Sequence, residues 1–84
     1  LWHYRRGQAR VASGKGADGE PDFRTALSVP GRGWVHGRAH FELGSLALAA
    51  GNHAGARAHL EDAVRLGERD HDRAWATRAR TLLR

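Results

Sequence analysis

HFELGSLALAAGNHAGARAHLEDAV, His40 to Val64, decides the fold. Its apolar residues recur at helical spacing, yet the places where a core takes bulk hold Gly44, Ala47, Ala56 and Ala63. Ala56, Leu60, Ala63 and Val64 stand at i, i+4, i+7 and i+8. That is one apolar stripe about 100° wide, and it predicts a helix over Ala54–Leu66 with Gly67 as its C-cap. Arg57, His59, Glu61, Asp62 and Arg65 fill the other side. Upstream, Leu43, Ala47 and Ala50 form one stripe and Phe41, Gly44 and Leu48 a neighbouring one, which predicts a second helix over roughly Val35–Ala50. Gly51-Asn52 breaks the pattern and supplies the left-handed conformation of a tight reversal. A link this short joins antiparallel helices, and small residues on the buried faces let their backbones cross closely.

The rest of the chain repeats this hairpin. An offset of 37 residues places His3 on His40, Tyr4 on Phe41, Gly7 on Gly44, Gly14 on Gly51, Phe23 on Leu60 and Ala26 on Ala63. The first copy is rougher. Its turn, Ser13–Pro21, is rich in helix breakers, so its second helix is expected at about Pro21–Val29, opened by proline at the first helical position and ended by Pro30-Gly31. Residues 70–84 give a fifth helix with Trp75, Ala79, Leu82 and Leu83 on one face and Asp70 or Asp72 as N-cap. Trp34, in the linker, is expected to pin one hairpin against the next.

These residues resemble the tetratricopeptide repeat. The family signature W-x2-L-G-x2-Y, then A-x3-F, falls on His40-x2-Leu43-Gly44-x2-Ala47 and Ala56-x3-Leu60. In the first copy Gly7, Phe23, Ala26 and Pro30 lie near family positions, with Gly19 in place of the usual Ala. The resemblance implies an all-α domain over 1–84, with antiparallel hairpins stacked as a right-handed solenoid of about five helices. Residues 1–30 are a degenerate repeat, 34–67 a well-matched one, and 70–84 a capping or half-repeat helix. It also implies a non-enzymatic protein-interaction module that grips a peptide or partner protein in a concave groove. Carried over by spacing, that groove takes Tyr4, Arg5 and Gln8 from the first copy, Arg38, Phe41, Glu42 and Ser45 from the second, and Trp75, with Arg78 beside it. The family's peptide-terminus clamp of Lys and Asn is absent.

Composition bounds the alternatives. No cysteine among 84 residues rules out disulfides and thiol chemistry and fits a reducing, cytoplasmic setting. Thirteen arginines against one lysine, with abundant Ala and Gly, read as GC-rich bacterial coding. The start at Leu1 points to a fragment of a longer chain, and the apolar ends, Leu1-Trp2 and Leu82-Leu83, are expected to meet flanking repeats or a second copy. The net charge of +5 sits at the two ends: residues 1–17 carry +4, 73–84 carry +4 and 18–72 carry −3. The second functional reading is therefore a regulatory segment that contacts nucleic acid through these terminal arginines. SGKG at 13–16 is no nucleotide loop, because the glycine spacing is wrong and no hydroxyl follows Lys15. His36 and His40 at i,i+4 lack a third ligand placed by the pattern, so neither a metal nor another cofactor is expected. No run of apolar residues is long enough for a membrane span.

Overall fold

Three turns of identical construction organise the chain. The computed structural model describes residues 2–28 and 33–83, with helices α1 (Trp2–Ala12), α2 (Gly16–Ser28), α3 (Gly33–Ala49), α4 (His53–Arg69) and α5 (Arg73–Leu83). The expectations at Leu1, Val29, Pro30-Gly31, the Trp34 side chain and Arg84 fall outside the described residues. In the first turn Gly14 has φ +79°, its N–H bonds the Val11 carbonyl at 3.0 Å, and the Lys15 N–H bonds the Arg10 carbonyl at 2.7 Å. In the second, Gly51 at φ +80° donates to Leu48 at 3.0 Å and Asn52 donates to Ala47 at 2.8 Å. In the third, His71 at φ 59° donates to Glu68 at 3.3 Å and Asp72 to Gly67 at 2.7 Å. Each is a Schellman closure with a left-handed residue one past the cap.

The third turn corrects the expected cap. Gly67 lies inside α4, where a Cβ would stand 3.0 Å from the Cβ of Ala76, so its smallness serves the α4–α5 approach. The left-handed position falls to His71, which carries a Cβ penalty of about 1–2 kcal/mol there. His71→Gly is therefore expected to stabilise the fold by about 0.5–1 kcal/mol after the unfolded-chain entropy of glycine is deducted. A chemical-denaturation midpoint that does not rise would refute the strain.

The start of α2 is a second correction. The helix begins at Gly16, with the Lys15 carbonyl accepting from Asp18 and Gly19, and Pro21 lies inside it. Proline removes the bond to the carbonyl of Ala17, and Ala17 is on the exposed side. Asn52 caps α4 by accepting the Gly55 N–H at 3.1 Å. Asp72 precedes α5 and its carbonyl takes the Ala76 N–H.

Packing follows the small residues. A Cβ on Gly44 would meet Leu60 Cγ at 2.7 Å, and one on Gly7 would meet Phe23 Cε1 at 2.8 Å. The same crossing is thus built twice, α1 on α2 and α3 on α4. α3 has two working faces: Val35, Ala39 and Leu43 join Tyr4, Phe23 and Ala26 in one core, while Phe41, Ala47 and Leu48 pack on the second core of Ala56, Leu60, Ala63 and Ala79. The stripe of Phe41, Gly44 and Leu48 thus meets α4. The stripe of Leu43, Ala47 and Ala50 is divided, with Leu43 in the first core, Ala47 against the second and Ala50 exposed, because a helix stacked between two others is apolar on more than one side. α2 packs on α3 and α4 on α5, which leaves α1, α3 and α5, the first helices of successive units, to share a face.

Candidate partner-binding face

Arg38, Phe41, Glu42 and Ser45 project from α3 at helical intervals, all half-buried, between α1 and α5. Arg38 spends its fork within the protein: Nε donates to Asp72 Oδ2 at 2.9 Å and Nη2 to Asp72 Oδ1 at 3.2 Å. Hydrogen bonding to that carboxylate raises its already high pKa further. Two guanidiniums lie against the Trp75 ring, Arg38 at 4.8 Å and Arg78 at 5.0 Å from the centroid. Phe41 meets the same ring edge-on, centroids 5.1 Å apart at 88°, a favoured aromatic geometry. Burial pushes the Glu42 carboxyl up from its ordinary range, and the charge of Arg78 partly opposes it.

Tyr4 is a correction of role. It is 2% exposed and belongs to the core with Phe23, so its ring is the floor of this face and is closed to a partner. Gln8 Nε2 donates to its hydroxyl at 2.9 Å. Burial, then the charge of Glu42, push the phenol up to about 12. Arg5 is exposed at the α1 edge. The structure therefore brings Tyr4, Gln8, Arg38, Phe41, Glu42 and Trp75 into one layered cluster, with Ser45 one turn beyond Phe41.

The clearest concavity here is a depression of about 430 Å³ between α3 and α5, lined by Phe41, Thr77, Arg78, Thr81 and Leu82. Arg78 is exposed and stacked on Trp75, and among the described residues its guanidinium makes no hydrogen bond. Spacing assigns Arg5, Arg38 and Arg78 to this face; with Arg38 committed to Asp72, Arg78 is the arginine lining the depression and has donors to spare. Arg38 lies inside α3 and Asp72 stands 34 residues on, at the turn before α5, so no local sequence pattern signals the pair.

A different polar pair lies in the α3–α4 interface. His40 Nδ1 and His59 Nδ1 are 3.0 Å apart, so one donates and the other accepts. Burial lowers the pKa of both rings below the usual histidine value of 6.5. The unfolded chain therefore binds more protons than the folded one below that value, and stability falls as pH drops through about 6.5. Thermal melts between neutral and mildly acid pH should show this fall, and His59→Gln should flatten it. An equally steep fall in the variant would assign the effect elsewhere. Among the described residues no group of three or more His, Asp or Glu side chains is arranged to hold a metal ion.

Stacked helical hairpins with a shared first-helix face define a helical-repeat scaffold. A family model for the tetratricopeptide repeat matches residues 4–71, and the chain belongs to that family. The family is a non-catalytic repeat scaffold whose members generally mediate protein–protein interaction. Comparisons with curated proteins and with solved structures gave no match. Among the described residues no helix is long and apolar enough to cross a membrane.

Proposed function

We propose that this chain is a non-enzymatic, cytoplasmic interaction module whose α1–α3–α5 face binds a partner peptide carrying a carboxylate next to an apolar side chain. α1–α2 and α3–α4 are its two repeats and α5 the opening helix of a third. The observation that carries this reading is Arg78, held on Trp75 with unspent donors at the rim of the Phe41–Leu82 depression. A guanidinium fork pairs a carboxylate while the apolar lining takes a side chain. Arg5, Gln8, Glu42 and Ser45 border the same face, with Arg38 and Tyr4 beneath them as support. Trp2, 62% exposed at the other end, suits a flanking repeat or a second copy.

Peptides selected from a displayed random library on the intact chain should be enriched in Asp or Glu beside an apolar residue. Arg78→Ala should weaken them about tenfold, and Phe41→Ala by at least as much. Arg57→Ala, the same charge change on the far helix, should leave binding unaltered. Peptides indifferent to Arg78→Ala would remove the groove from the account. Nucleic-acid binding that is steep in salt and indifferent to Phe41→Ala would favour the terminal-arginine reading instead.

A further inference from the structure

The basic charge of the first seventeen residues has an address away from this groove. An open cavity of about 570 Å³ lies where α1 turns into α2, with Arg6, Arg10, Ser13, Lys15 and Asp18 in its lining. Behind it is the carboxylate of Asp22, 1% exposed. Arg6 spends Nε and Nη2 on that carboxylate, at 2.9 and 2.6 Å to Oδ1. Arg10 uses Nη1 alone, 3.3 Å from Asp22 Oδ2 and donating to the Asp18 carbonyl at 2.9 Å. The Nε and Nη2 donors of Arg10 and the ammonium of Lys15 have no partner among the described residues. Three cations thus stand against two carboxylates, and their remaining donors border an open space.

Repeat packing does not ask for this arrangement. At the 37-residue offset the second hairpin has Leu43, Ala47 and Asn52 where the first has Arg6, Arg10 and Lys15, and His59 where it has Asp22. Leu43 is buried core. The first hairpin has therefore exchanged a core leucine for an arginine whose guanidinium is fastened to a buried acid. Such an anchor pre-organises the neighbouring guanidinium and lowers the ordering cost of binding.

We propose that this cavity binds a phosphate-class dianion, with Lys15 and the unspent donors of Arg10 as the contacting groups and Arg6 and Asp22 as positioning residues. A fork and a point-charge ammonium converging on one space suit a tetrahedral oxyanion better than chloride. All the cations lie within α1 and its turn, so the site takes a single phosphate group. The group comes either from free phosphate or from a phosphorylated side chain.

The test is a titration of the whole chain with sodium phosphate, read by backbone amide chemical shifts, against sodium chloride at equal ionic strength. Saturable shifts confined to about residues 10–18 are expected with phosphate alone. Lys15→Ala, an exposed side chain, should weaken them about fivefold or more, and Arg57→Ala should not. Tighter binding of O-phosphoserine than of inorganic phosphate would assign the site to a phosphorylated side chain, and equal or weaker binding to free phosphate. Shifts that grow without saturation as chloride's do, or saturable shifts untouched by Lys15→Ala, overturn the proposal.

Discussion

Gly44→Leu is expected to destabilise the protein by about 1–3 kcal/mol, which at this size lowers Tm by about 4–8 °C per kcal/mol. Even a bare Cβ on Gly44 would stand 2.7 and 2.8 Å from Leu60 Cγ and Cδ2 and 3.4 Å from the Ala56 carbonyl. Leu60 is 1% exposed and sits in the second core, so it can give way only by disturbing its packing on Ala56 and Ala63. The remaining three carbons of a leucine must then push α3 off α4. The structure also supplies an internal control: Leu60→Ala opens the space that Gly44→Ala needs, so Gly44→Ala should cost clearly less in a Leu60→Ala background than alone. Additive costs, or a melt unchanged by Gly44→Leu, would show that the two helices do not cross at this glycine.

That crossing was legible because residue type alone carries it: Gly44, Ala56 and Leu60 at fixed spacing leave one way for two helices to approach. The first hairpin was harder to read. Gly19 looks like a lapse from the family's alanine, but a Cβ there would lie 2.8 Å from the backbone oxygen of Gly7. Glycine is what this closer crossing requires, and sequence reports residue type, whereas the interhelical distance that decides between Gly and Ala appears only in three dimensions. Pro21 misled for a related reason: proline favours the first helical turn, and its cost inside α2 is small where the abandoned carbonyl belongs to exposed Ala17. Gly67 reads as a cap in the sequence because glycine is the usual left-handed residue, whereas His71 holds that conformation. In the candidate site, the aromatic and basic kit was visible, but which arginine has donors to spare depends on Asp72 reaching Arg38 across a repeat boundary.

Arg6→Ala is expected to lower stability more than Asp22→Ala, although both break the same ion pair. The asymmetry comes from burial. The Asp22 side chain is 2% exposed, while those of Arg6 and Arg10 are 39% and 37% exposed. With Asp22 gone, the two guanidiniums can swing into water and the main loss is packing beside His3. With Arg6 gone, the carboxylate stays in the interface with Arg10 at 3.3 Å and His3 at 3.7 Å as its remaining partners. An under-compensated buried charge is costlier than a missing pair. Replacing both partners, Arg6→Leu with Asp22→His, copies the second hairpin's Leu43 and His59 and should recover most of the loss.

The pH profile separates this account from a simple packing defect. The hydrogen bonds from Arg6 are the largest influence holding the Asp22 carboxyl below its ordinary 3.8. In the wild type that contribution is present above this value and is lost as pH falls through the lowered folded-state pKa. Without Arg6 the carboxyl titrates higher, so mild acid, by neutralising it, should narrow the gap between Arg6→Ala and the wild type. Tm measured from neutral pH down to about pH 4, with hydrogen exchange to locate the loss in α1 and α2, checks both points. A deficit constant across that range, or one larger for Asp22→Ala, would mean that volume and not charge holds the first hairpin closed.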